Sequence, residues 1–363
     1  MTGPEMNIEV AKQNLSQVRV ELHESLPLED GQARLRVRAF ALSSNNITYA
    51  VFGDMLSYWQ FFPVAEADAA DWGRIPVWGF GEVVESRSVD AEVGELLYGY
   101  LPMSAELVIQ PGRADARGLT DTSPHRAGLP SAYSRYTRSA ADPLYRADWE
   151  KQQMLLYPLF FTAFLIDDFL LDQSDFGAQQ VVISSASSKT ALGVAHLAGE
   201  RGIKVCGLTS EANFEFTQGL GVYSQVSTYN QIDQLVREQS VYVDIAGNRD
   251  VLHAVHTHLD GVLDYSMTVG GTHWDHAAGA AMAKLPDPEP QFFFAPTQIA
   301  KRTKDWGTEQ LDARVSSAWD RYVEWANTWV EFQLAQGSDE VTAAYLELLG
   351  GNADPRTGYI CSL

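Results

Sequence analysis

A chain of 363 residues suits two domains, or one domain with a large insertion, and its 45% hydrophobic and 20% charged content is ordinary for a globular protein. The balance of 26 basic against 47 acidic residues, a net charge of −21, argues against a nucleic-acid or anionic-membrane partner, although a small anion in a local amide-lined pocket stays open. Cys206 and Cys361 are the only cysteines, which excludes a disulfide framework and a cysteine-rich zinc site and fits a reducing, cytoplasmic compartment.

The opening MTGPEMNIEVAKQN is polar and carries no basic-then-apolar leader. Residues 17–112 read as strands. ARLRVRAFAL alternates strictly, with Arg34, Arg36 and Arg38 on one face and Leu35 and Val37 on the other, as a half-buried strand does. GEVVES and GELLYGYLPMSAELVIQP continue in this manner, so a small antiparallel barrel or sandwich is expected. Residues 113–152 are rich in Arg, Tyr, Pro and Ser and lack a clear period; they read as a long loop or lid. Tyr133, Arg135 and Tyr136 in SAYSRYTRS are candidates to line or cover a substrate pocket, with a solvated loop as the alternative.

LLYPLFFTAFLIDDFLL, residues 155–171, is the most apolar stretch. Asp167 and Asp168 interrupt a run already short of the roughly 20 residues that span a bilayer, so a buried helix is expected. From there strands alternate with helices: a helix over 153–172, strand 180–183, the helix of SSASSKTALGVAHLAG, then KVCGLTS, EANFEFTQGLG, SQVSTY, NQIDQLVREQ, VYVDIAG, NRDVLHAVHTHLDG and VLDYSMTVGG. That alternation predicts a parallel sheet covered on both faces, with ligands at the carboxyl ends of its strands. The remainder contains PDPEPQFFFAP, a helical stretch around 308–335 and the terminal GYICSL. The expected organisation is an antiparallel domain over 1–152, a doubly wound domain over 153–285 and a return segment over 286–363.

The turn between strand 180–183 and the next helix is rich in serine, with Lys189 and Thr190, and has no glycine before Gly193. In dinucleotide folds this turn offers backbone N–H groups and a helix N-terminus to a pyrophosphate, and glycines normally relieve the close approach. Here Ser187 and Ser188 occupy the approach, and small Ala191, Ala195 and Ala198 let the helix lie close to the sheet. A strand–turn–helix that merely caps its helix is the plainer alternative. The second strand ends in Thr209 and Ser210 rather than the acid that accepts from an NAD ribose, which favours NADP, although Glu211 follows directly.

With turn, strands and barrel on the page, the chain resembles the medium-chain dehydrogenase/reductase superfamily, in its zinc-free, quinone-oxidoreductase-like branch. LLYPLFFTAFLIDDFLL, SASSKTA, FFFAP and DPRTGYICSL bring it closer still to an uncharacterised offshoot family of unknown function. The resemblance implies a GroES-like barrel domain, a Rossmann domain and a final return to the barrel. The superfamily's zinc-ligand positions fall on Ser44, near Trp78 and near Pro158, none of which can serve, so no metal is expected. His253, His256 and His258 are not spaced as a zinc helix requires.

The resemblance further implies reduction of a carbonyl, enone, quinone or enoyl thioester with NADPH, a hydroxyl or water supplying the proton. It places Asn46 beside the reacting oxygen and Tyr49 where quinone reductases hold an active-site tyrosine; both equally suit a turn that closes and packs. On the cofactor it places Thr162, Ser187, Ser188, Lys189, Thr190, Ser210 and Tyr229, and, at the ends of the fourth and fifth strands, Asn248, Val269 and Gly270. A homodimer fits the superfamily. A nucleotide-binding protein that has lost the chemistry is the rival reading.

Overall fold

The computed structural model describes residues 5–269, 285–351 and 353–363. The chain divides into two compact units, Met1–Leu155 with Val330–Leu363, and Leu156–Trp329.

The first unit is mostly antiparallel. β1 (Glu5–Ala11) lies between β2 (Asn14–His23) and β4 (Trp72–Gly73). The larger sheet contains β3 (Ala33–Leu42), β5 (Pro76–Ser86), β6 (Leu96–Pro102), β7 (Glu106–Ile109), β8 (Pro111–Asp115), β9 (Gly118–Asp121), β10 (Arg135–Arg138), β17 (Glu331–Gln336) and β18 (Thr357–Ser362). Its order is β17-β18-β3-β5-β6-β10-β9-β8, with β7 also on β3. The terminal strand β18 therefore does join the unit the chain began with, pairing antiparallel with β3. Helix α1 (Ser44–Val51) follows β3, and α8 (Gly337–Leu349) lies between β17 and β18. The core is built by inward aliphatic positions of these strands, including Leu35, Val37, Val77, Val83 and Leu97, all essentially buried. Each such side chain contributes about 1.5–3 kcal/mol by leaving water.

Two expectations change here. Arg34 does not share a solvent face with Arg36 and Arg38. Register shifts between Arg34 and Leu35 and between Val37 and Ala39 break the alternation, and Arg34 turns inward to Glu85 (3.3 Å) and Glu106 (3.2 Å). Residues 113–152 are not one long loop either. They extend the sheet past β6 through β10, β9 and β8, joined by short 3-10 turns. A buried charge pair, Arg126 with Asp121 at 2.8 Å, locks this extension; Asp121 also accepts from the Gln110 and Ser123 amides. Tyr136 is fully buried, its hydroxyl donating to the Tyr100 carbonyl, and Arg135 pairs with Asp115 near the surface, so both fasten the sheet extension.

In the second unit, β11 (Gln180–Ile183), β12 (Lys204–Thr209), β13 (Gln225–Thr228), β14 (Ser240–Asp244), β15 (Leu263–Thr268) and β16 (Gln291–Phe292) form a parallel sheet in the order β13-β12-β11-β14-β15-β16. The order reverses at β11, the topological switch point of a doubly wound fold. The helices are α2 (Glu150–Asp172, begun in the first unit), α3 (Lys189–Glu200), α4 (Phe214–Gly219), α5 (Arg249–His258), α6 (Ala295–Trp306) and α7 (Thr308–Ala326). By length and composition α2 qualifies as a membrane span, yet 61% of its most apolar window is buried in the structure, as in a core helix. Arg302 of α6 reaches its Asp168 at 2.6 Å.

The helix expected over NQIDQLVREQ is only a kinked 3-10 segment, Tyr229–Gln234, held by buried Ile232 and Leu235. Residues 286–329 stay with this unit, because β16 pairs with β15; the chain leaves it at Trp329 rather than near 286. The helix expected around 308–335 accordingly stops at Ala326, and β17 begins at Glu331.

Removing one partner of a buried charge pair leaves the other uncompensated. Asp121→Ala should therefore cost about 3–5 kcal/mol in urea unfolding; a loss below about 1 kcal/mol would mean the pair carries no such burden.

Candidate functional site

The turn after β11 is held from three sides. Buried Ser184 donates to Asp244 Oδ1 at 2.7 Å and accepts from the Ile245 and Ala246 amides at 2.9 Å, tying the end of β11 to the end of β14. Ser185 stands in the left-handed region at φ +53 and donates its amide to the Tyr229 hydroxyl at 3.1 Å. The Ala186 carbonyl accepts from the Tyr223 hydroxyl at 2.8 Å, and its amide donates to Leu208. Ser187 Oγ accepts from Asn213 Nδ2 at 3.0 Å and faces Thr209 Oγ1 at 3.5 Å. Ser188 then caps α3, its Oγ accepting from the Ala191 amide at 3.3 Å. Lys189 and Thr190 open the helix, at its positive end.

Among the expected cofactor residues, Ser187, Ser188, Lys189, Thr190, Ser210 and Tyr229 thus gather around one turn. Ser210 begins the 3-10 turn Glu211–Asn213 directly after β12, while Glu211 receives Asn230 Nδ2 at 3.2 Å. Asn248 caps α5, its Oδ1 accepting from the Asp250 and Val251 amides. Val269 follows β15, its amide donating to the Asp244 carbonyl at 2.8 Å. Thr162 bonds back to the Pro158 carbonyl within α2 at 3.1 Å. Gly270 lies outside the described residues. Sequence reasoning missed Asn213 and Tyr223 as parts of this turn; no spacing rule announces them, since their contacts join separate β-α units.

Asp244 combines burial with incomplete pairing. Its Oδ1 collects the Ser184 and Tyr242 hydroxyls and the Gly247 amide, while Oδ2 has no partner among the described residues. Burial raises its pKa, against those hydrogen bonds. The three helix histidines separate: His256 is buried between Ser266 and Pro286, His258 faces the Leu235 carbonyl and His253 is exposed. No group of three metal-ligating side chains occurs among the described residues.

The other candidates lie in the first unit. Asn46 sits one turn into α1; its Oδ1 accepts from the Ser43 amide at 2.8 Å and its Nδ2 donates to the Pro76 carbonyl at 2.9 Å. Both ends of the amide therefore serve the fold. Tyr49, one turn on, is buried, and its hydroxyl receives Trp78 Nε1 at 3.4 Å. It belongs to an aromatic cluster with Tyr58, Phe61, Phe62 and Tyr100, against which Trp78 and Tyr133 pack. Burial raises the pKa of Tyr49, Tyr58, Tyr100 and Tyr133, so these phenols remain protonated donors at neutral pH.

A family model described as "Protein of unknown function (DUF2855)" matches residues 40–354. The chain belongs to that family. No curated protein matches it by sequence. Solved structures share its fold over the full length. CurA from Vibrio vulnificus is 13% identical with a TM-score of 0.60, covering 99% of each chain. Its complex with NADPH is 14% identical with a TM-score of 0.59, covering 98% of each. A mutant enoyl thioester reductase from Candida tropicalis is 9% identical with a TM-score of 0.59, covering 100% of each. This chain thus shares the fold of these structures, in agreement with what the resemblance to the medium-chain dehydrogenase/reductase superfamily implies.

Because burial raises the folded-state pKa of Asp244, its ionisation costs more in the native protein than in the unfolded chain, and stability from this group falls as pH rises above the ordinary 3.8. Asp244→Asn should therefore gain stability relative to the parent between acid and neutral pH, read by urea unfolding; a pH-independent difference would contradict the assignment.

Proposed function

We propose that the chain is an NADPH-dependent, zinc-independent oxidoreductase reducing a carbonyl or conjugated small molecule, such as an enone, a quinone or an enoyl thioester, in the cytoplasm. On this reading the first unit is the GroES-like substrate domain and the second the nucleotide domain. The observation that carries it is the turn Ser184–Thr190, at the switch point and running into the N-terminus of α3. The residues there fit the dinucleotide. Ser188, Thr190 and Lys189 offer donors and a cation to a pyrophosphate. Ser210 and Asn213 close β12 with neutral donors where an acid would repel a 2′-phosphate. The fold's solved members include an NADPH complex and a mutant Etr1p with NADP and crotonyl-CoA, which supports the cofactor and the reaction class.

The dinucleotide, when bound, supplies the hydride. The chain's own residues hold and orient it, with Thr162, Asn248, Val269 and Gly270 assigned to its nicotinamide end. Tyr49, kept protonated by burial, is assigned to donate a hydrogen bond or proton to the reacting oxygen. Asn46 positions α1 and hence Tyr49, since its amide is engaged on Ser43 and Pro76. The edge strand β16, with Phe292 and Phe294 exposed, is the face we assign to a homodimer.

One observation favours the alternative, a nucleotide-binding protein without chemistry. The turn spends its Ser185 amide on Tyr229 and takes Asn213 onto Ser187, so part of its hydrogen-bonding capacity is used internally. NADPH consumption decides between the two. Over a panel of enones, quinones, aldehydes and enoyl thioesters, the enzyme consumes bound NADPH with at least one member; a binding protein with none. Tyr49→Phe should lower turnover by about 10²-fold or more while leaving NADPH affinity unchanged. Ser210→Asp should weaken NADPH about tenfold or more and spare NADH; equal weakening of both would remove Ser210 from the 2′-phosphate.

A further inference from the structure

Phenols are crowded in the first unit where a core needs none. The Tyr133 ring lies 4.7 Å from Tyr100, 5.5 Å from Phe61, 6.0 Å from Tyr58 and 6.2 Å from Trp78, centroid to centroid. Tyr49 completes the set, 4.6 Å from Tyr58 and 5.6 Å from Tyr100. Tyr100 is fully buried, and its hydroxyl, beside that of Tyr49, makes no hydrogen bond of acceptable geometry. A buried hydroxyl left so costs about 1–3 kcal/mol, and phenylalanine would avoid the cost. The Tyr58 and Tyr133 hydroxyls likewise lie beside each other.

Tyr133 differs from the rings it touches. Those stand on β5, β6 and the segment 58–61, whereas Tyr133 ends a single 3-10 turn, Ser131–Tyr133, whose other two residues are exposed. It is only half-buried, and its backbone is fixed by Arg126, which donates to its carbonyl at 3.3 Å.

Resting on the reductase reading, we infer that Tyr133 occupies the place of the substrate's ring. The substrate is a flat aryl-conjugated carbonyl compound that displaces Tyr133 from between Tyr58, Phe61 and Tyr100 and accepts the Tyr100 hydroxyl on its oxygen. An aromatic ring keeps the edge and tilted contacts that Tyr133 now makes, worth about 0.5–1.5 kcal/mol each beyond area burial; a saturated ring does not. An acceptor oxygen is what a buried, unpaired O–H donor lacks. Tyr133 is then a specificity-determining residue, and the sheet extension of residues 111–138 is what carries it.

The test is calorimetric titration of the full chain, without nucleotide, with benzylideneacetone and with its cyclohexyl counterpart. The aryl enone should bind saturably, and its cyclohexyl counterpart at least about fivefold more weakly. Tyr133→Ala, with no ring to displace, should bind the aryl enone about tenfold more tightly, and Tyr100→Phe about fivefold more weakly without loss of melting temperature. Absence of saturable binding in both the parent and Tyr133→Ala, or an unchanged affinity in Tyr100→Phe, would overturn the inference; the latter with a raised melting temperature would make Tyr100 purely structural. Turnover separates the two readings. Aryl binding with no NADPH consumed by any panel member overturns the reductase and keeps this site, whereas turnover of aliphatic enones without aryl binding does the reverse.

Discussion

The second unit depends on a strand-to-helix turn made without glycine. Ser185 adopts φ +53, a conformation that costs an ordinary residue about 1–2 kcal/mol, and its neighbours hold it there. The Tyr229 hydroxyl takes its amide, Tyr223 holds the next carbonyl, and Asn213 fixes Ser187. The need for a missing side chain has moved to the facing strand. A Cβ at Gly207 would lie 2.8 Å from that of Ala186 and 2.9 Å from the Tyr223 ring. Likewise a Cβ at Gly193 would meet that of Ala163 at 2.7 Å, so this glycine sets how closely α3 approaches α2. The turn is thus held by side-chain hydrogen bonds where a phosphate loop uses glycines.

The first unit meets a similar problem with charge. The sheet extension beyond β6 contains little apolar surface of its own. It is fastened by Asp121, which gathers a guanidinium and backbone amides in a buried position, and by Arg126, which lies 4.8 Å over the Phe62 ring. The same Arg126 holds the backbone of Tyr133, so a structural ion pair and a candidate substrate contact share one side chain.

Much of the architecture was legible in the sequence. The β-α alternation from Gln180 to Thr268 predicts the parallel sheet, and the apolar run 155–171 predicts its core helix. What escaped were features set by partners far away in sequence. The inward turn of Arg34 needs two register shifts and two glutamates from other strands. Strands β8 to β10 are short and polar, and only pairing in succession, β10 on β6, β9 on β10 and β8 on β9, makes them strands. Asn46 fits a carbonyl-binding amide by position, yet the Pro76 carbonyl, thirty residues on, takes its Nδ2. Tyr49 and the turn serines, by contrast, stand on a helix and a strand-to-helix turn, positions that local pattern does specify.

The central claim is that a glycine-free turn binds NADPH, and equilibrium titration of the intact chain with NADPH and NADH tests it most directly. The account predicts a single saturable site per chain with tighter binding of NADPH, accompanied by a rise in melting temperature as NADPH is added. Absence of saturable binding for either nucleotide, with an unchanged melting temperature, would contradict it.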